Sequence, residues 1–135
     1  MVNNPELHRI AEAHGVKLVR HTGGPPGWYD HARRTISTRR GQSIQQYRSV
    51  LAHELAHAVY GDVPVDNGFF NLRQEARADR WAAKLLISPV EFELAAQWHG
   101  DCLPAVADEL EVTQHLLEVW VETRQRRQLG QNNCH

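Results

Sequence analysis

The chain has 135 residues, 41% of them hydrophobic and 23% charged, which suits one globular domain and excludes two comfortable ones. No apolar run approaches the roughly 18 residues of a membrane helix, and the N-terminus MVNNPELHRI lacks the basic and apolar regions of a secretion signal, so a soluble cytoplasmic protein without membrane contact is expected. The net charge of −1 conceals a gradient, eight Lys/Arg against three acids over residues 1–48 and four against thirteen over residues 49–123, and the acidic surroundings of the best-formed elements argue against a polyanion partner.

Asn4, Pro5 and Glu6 read as a cap, a first-turn proline and a first-turn acid, and Gly15 as a stop, which predicts a helix over 5–14. Residues 16–20 alternate, GGPPG at 23–27 is a turn or loop, and 27–31 and 35–38 read as two further strands. The simplest assembly is a small three-stranded antiparallel sheet, so the fold class is α+β. Ser43 to Gln46 forms a capping box, after which apolar residues at 44, 47, 50, 51, 55, 58 and 59 keep a helical period up to Gly61. Residues 61–70, with Pro64, Asn67 and Gly68, are expected as a loop carrying Phe69 and Phe70. Asn71 is placed to cap a second long helix through 87, and Ser88 to Glu91 ends it and caps a third, which stops near Gly100. Residues 104–110 and 113–127 predict a last helical pair, followed by a disordered tail. Cys102 and Cys134 are too few for a disulfide framework and are expected as free thiols.

The chemistry is carried by His53-Glu54-Leu55-Ala56-His57. Histidines four apart lie one above the other on a helix face, so both imidazoles can reach one tetrahedral zinc ion. Glu54 is turned about 100° away, where a carboxylate takes a proton from water instead of ligating. A catalytic zinc takes three protein ligands and keeps one position open. Glu75, 18 residues after His57 and early in the next helix, is the leading third ligand, with Asp62 and His99 as the other candidates. Asp79, four residues beyond Glu75, can accept a hydrogen bond from the far nitrogen of a ligating histidine. Tyr29, His31 and Tyr60 are the candidates for steadying the oxyanion. The HExxHxxGxxH arrangement is excluded, because Tyr60 stands at the glycine position and Val63 at the third-ligand position. One zinc per chain is expected.

LAHELAHAVYGD at 51–62 followed by QEARADRWAAKLLIS at 74–88 resembles the ImmA/IrrE metallopeptidase family, through Glu75, Ala78, Asp79, Trp81, Ala82, Leu85 and Leu86. Ser88 departs from the family pattern, where the proline found here at 89 usually stands one residue earlier. The resemblance covers the strands before the metal helix and fades after residue 100. It implies a gluzincin-like core with a three-stranded sheet and zincin-type helices over 1–100; the residues beyond read, from their own pattern, as a helical extension over 101–135. It also implies an endopeptidase that cuts a helix-turn-helix transcriptional repressor of a phage or mobile element.

That extension, with Val106, Ala107, Leu110, Val112, Leu116, Leu117 and Trp120 as its apolar positions, has the outline of a helix-turn-helix. Glu111 occupies the turn where such motifs place glycine, and Glu118 and Glu122 would face a phosphate backbone, so packing or substrate docking is expected in place of direct nucleic-acid binding. Two functional alternatives stand beside the zinc endopeptidase: a catalytically silent zinc-binding module, which has no use for Glu54, and a DNA-binding regulator, which the charge disfavours.

Overall fold

A computed structural model describes residues 1–63 and 68–132. The elements run α1 (Asn4–Ala13), β1 (Lys17–His21), β2 (Gly27–Asp30), β3 (Thr35–Arg39), α2 (Ile44–Tyr60), α3 (Gly68–Leu86), α4 (Pro89–His99), α5 (Leu103–Glu109) and α6 (Gln114–Asn132). Capping explains most boundaries. Ser43 accepts from the Gln46 amide at 3.1 Å and Ser88 from the Glu91 amide at 3.2 Å. In α1 the cap is Asn3, one residue before the expected Asn4, and it accepts from the Glu6 amide at 2.9 Å. Helix α3 begins at Gly68, ahead of Asn71, while Pro64 and Asn67 lie outside the described residues. Helix α6 continues through Asn132, so residues 129–132, expected in the tail, are helical; Cys134 lies outside the described residues. No helix among the described residues is long and apolar enough to cross a membrane.

The sheet has three strands but is mixed, not antiparallel. Its order is β1-β3-β2, with β1 parallel to β3 and β2 antiparallel to it. The short turn between β2 and β3 makes those two a hairpin, as expected. The correction concerns β1, which pairs with β3 on its far side. Residues 22–26 can carry the chain across that width, because five residues reach about 16 Å and two strand spacings are about 10 Å. Gly23 and Gly24, both at φ +72°, turn the chain there. The central place goes to β3, the strand with the most to bury: Ile36, Ser37 and Thr38 are all buried.

Helix α2 lies between the sheet and α3, and α3 packs in turn on α6. Ala52 and Ala56 of α2 and Ala78 and Ala82 of α3 are fully buried, and side chains this small let two helix axes approach closely. One apolar cluster runs from Leu7, Ile36 and Leu55 through Ala82 and Leu86 to Val106, Leu117 and Trp120, so α5 and α6 share the core of the preceding elements.

Two helix ends shape the site. At the end of α2, Gly61 adopts φ +67°; its amide bonds Ala58 O and the Asp62 amide bonds His57 O at 2.9 Å, which folds Asp62 back beside His57. The α5–α6 turn repeats this pattern with Glu111 at φ +56°, a conformation costly for a side chain. Arg48, buried to 1% exposure, holds that turn by donating to Glu111 O at 3.2 Å and also binds Asn4 Oδ1 at 2.9 Å and Val2 O. Burial lowers the Arg48 pKa, opposed by Glu111, Glu6 and Glu91.

Candidate metal centre

His53 lies mid-helix on α2 and His57 in its last turn, which the Gly61 cap closes, so the two imidazoles keep their one-turn spacing. His53 Nε2 and His57 Nε2 are 3.2 Å apart. Glu75, from the second turn of α3, reaches both: its Oε2 is 2.6 Å from His53 Nε2 and its Oε1 is 3.0 Å from His57 Nε2.

The opposite ring nitrogens decide what this triangle can be. His53 Nδ1 lies 2.8 Å from Asp79 Oδ1, and His57 Nδ1 lies 2.9 Å from Asp62 Oδ2. An ionised carboxylate only accepts, so each Nδ1 carries the proton and donates it. Each neutral ring then presents a bare lone pair at Nε2, and the two lone pairs meet the Glu75 oxygens, which are also acceptors. Three acceptors aimed at one point repel one another unless a cation or a proton sits between them.

A zinc ion fits that requirement. Two imidazole nitrogens and one carboxylate oxygen, with ligand atoms all within 4.8 Å of one another, are a usual set for a catalytic zinc. Tetrahedral bonds of about 2.0–2.1 Å separate ligand atoms by roughly 3.3–3.4 Å. The shortest edge of the triangle involves Glu75, which is 57% exposed and has room to withdraw. With no cation between them, a proton takes its role. Burial works against the His53 imidazolium, but the Asp79 hydrogen bond and the charges of Glu54, Glu75 and Asp79 outweigh it and push the His53 pKa up to about 9. Asp79 and Asp62 are both shifted down: burial raises each, but bonds from His53 and His115 outweigh it at Asp79, and bonds from His57 and Arg77 at Asp62.

Glu54 is buried but lines the same cleft, of about 650 Å³, as His53, His57 and Glu75. Burial raises its pKa, opposed by His53 and His57 and reinforced by Glu75, which moves a carboxylate towards the range useful for a general base at neutral pH. Pro26 and strand β2, through Gly27, Trp28 and Tyr29, supply one wall. Gly27 makes that approach possible: a Cβ there would stand 2.5 Å from Val50 Cγ1 and 3.6 Å from Glu54 Cγ.

The sequence candidates are distributed unevenly. Among the three proposed oxyanion partners, only Tyr29 lines the cleft; its hydroxyl takes a bond from Arg34 at 2.7 Å and lies 2.9 Å from His31 Nδ1. Tyr60 lines a second cavity, its ring 4.0 Å from the Arg77 guanidinium. His99 is away from the site, 3.5 Å from Glu109. Asp62, weighed as a ligand, sits on the far nitrogen of His57 and bonds Arg77 through its other oxygen. Residues 1–100 supply every candidate ligand, while Thr113, His115 and Leu116 from beyond them line the cleft, with His115 Nε2 2.9 Å from Asp79 Oδ2.

Residues 11–119 match a peptidase family model described as the IrrE N-terminal-like domain. The chain belongs to the ImmA/IrrE family. The match reaches into α6, beyond residue 100 where the sequence resemblance fades, and so takes in α5 and the turn carrying His115. No curated protein matches the chain closely enough to count as a relative. Sequence reasoning missed Asp62 as the partner of His57, although Gly61 directly after the helix was the signal: a glycine stop returns the next residue towards the last turn. It also missed His115, for which the sequence holds no local signal.

Proposed function

We propose that this family member is a zinc-dependent endopeptidase, with one zinc held by His53, His57 and Glu75 and with Glu54 as the general base. The observation that carries this reading is the convergence of three acceptor groups, two of them locked in tautomer by Asp79 and Asp62, beside a buried carboxylate that bonds none of them. Bound there, zinc supplies Lewis acidity, which acidifies water and polarises a peptide carbonyl. Glu54 takes the proton from the attacking water and returns it to the leaving amine as the C–N bond breaks. Tyr29 is the oxyanion candidate that fits best, being the one of the three on the cleft wall.

The substrate we propose is a helix-turn-helix repressor of a phage or mobile element, cut in the cytoplasm. Family membership supports it, as does β2, an edge strand lining the cleft and suited to pairing with an extended segment. Cleavage then falls in a linker or a locally opened helix, since a folded substrate cannot present a strand. The test is to incubate the purified zinc-loaded protein with the repressor encoded beside its gene. Fragments are expected from the wild type, with Glu54→Gln retaining zinc and cutting at least about 100-fold more slowly. A Glu54→Gln variant that cuts normally sinks the assignment. Casein degraded as fast as the repressor leaves a generic peptidase.

A further inference from the structure

Asp79 uses both carboxylate oxygens on histidines: Oδ1 on His53 Nδ1 at 2.8 Å and Oδ2 on His115 Nε2 at 2.9 Å. His115 stands in the first turn of α6, an element remote in sequence from the metal motif. Its placement is built, not incidental. Thr113 caps α6 by accepting from the Leu116 amide at 3.2 Å, and the Thr113 amide donates to Ser49 Oγ at 3.0 Å. Ser49 lies one turn before His53 on α2. Arg48 holds the preceding turn through Glu111 O. The start of α6 is thereby tied to both helices of the site, and Thr113, His115 and Leu116 line the cleft beside His53 and Glu54.

Burial does not explain His115, whose side chain is 69% exposed. The apolar residues Leu116, Leu117 and Trp120 already hold α6 against the core. What the ring does is occupy the one Asp79 oxygen that His53 leaves free, fixing the carboxylate against rotation. We propose that His115 is a positioning residue for the metal centre, acting through Asp79 on His53, so that docking of α6 and metal affinity are coupled. This rests on the zinc reading above. Coupling is reciprocal, so zinc bound at His53 also tightens the start of α6.

The test compares the full chain with His115→Phe, which keeps a ring but no donor, and His115→Gln, which restores an amide donor at similar reach. Zinc affinity is read by competition with a chromogenic chelator, and amide exchange over the first turns of α6 with and without zinc. Partners outside the ligand set change metal affinity by about 10–100-fold, and His115 is one bond further out, so His115→Phe is expected to bind zinc about tenfold more weakly. His115→Gln is expected to recover most of that loss. Zinc is expected to slow exchange at the start of α6 in the wild type and not in His115→Phe. Equal zinc affinity in wild type and His115→Phe overturns this inference alone, as does a His115→Gln variant as weak as His115→Phe. A wild-type protein that binds no zinc overturns the metal reading and this inference together.

Discussion

His53 and His57 are one turn apart on the same helix and are backed by the same chemistry, a carboxylate on Nδ1, yet the two carboxylates arrive by different routes. Asp62 is five residues from His57 and is returned to it by the Gly61 turn, so its placement is local. Asp79 is 26 residues from His53 and arrives only because α3 packs along α2. The outer contacts differ as well. Asp62 is answered by an arginine, Arg77, which also lies over the Tyr60 ring, whereas Asp79 is answered by a second histidine from α6. One half of the site is thus assembled within α2, its terminal turn and α3; the other half needs α6 too.

The largest effects break the comparison by removing the rings. His53→Ala and His57→Ala are each expected to lose zinc entirely, measured as metal content after gel filtration, and Glu75→Gln to weaken zinc binding and abolish cleavage. Zinc retained in full by either alanine variant would remove that ring from the ligand set. Next come the carboxylates: Asp79→Asn and Asp62→Asn are each expected to weaken zinc binding by about 10–100-fold. An Asp79→Asn variant that lost zinc more completely than Glu75→Gln would exchange the roles of those two residues.

Stability separates the two carboxylates more finely. The Asp62 side chain is only 8% exposed and is the anion for Arg77, whose Nε is already buried without a partner. Asp62→Asn is therefore expected to cost the metal-free protein about 1.5–3 kcal/mol, the scale of a hydrogen bond to a charged group. Denaturant unfolding in the presence of chelator measures it, and a loss no larger than that of Asp79→Asn would erase the distinction.

A further effect is one of pH on the metal-free protein. The His53 pKa is raised from 6.5 to about 9, so folding favours its protonated form. The stability this brings is fully present below the unfolded value of about 6.5 and is lost as pH rises through about 9. With chelator present, the melting temperature of the wild type is expected to fall across that interval more than that of His53→Ala. Parallel curves would show that His53 is not the group responsible.

Much of this was legible in the sequence for a common reason: it depends on neighbours along the chain. The Ser43 and Ser88 caps and the apolar period of α2 involve residues within one or two turns of each other. The presentation of His53 and His57 on one face follows from helix geometry alone. The pairing of β1 was not legible, because alternation marks a strand but does not say which strand takes the middle; the burial of Ile36, Ser37 and Thr38 gave that place to β3. Nor could spacing assign Asp62, since a carboxylate near a histidine can face either ring nitrogen, and only the direction of the Gly61 turn selects Nδ1.

The α+β class, the helix carrying His53 and His57, the residue types around it and, through the family pattern, the helix that carries Glu75 and Asp79 all follow from the sequence. How those parts face one another depends on the packing of whole elements. It brought α3 close along α2 through buried alanines, aimed three acceptors at one point, turned Tyr60 to the second cavity, and set His115 against Asp79. The reason is that helical periodicity and caps are properties of a few consecutive residues. The meeting of groups 20 to 40 residues apart depends on how whole faces bury their apolar surface against each other, and no local pattern encodes that.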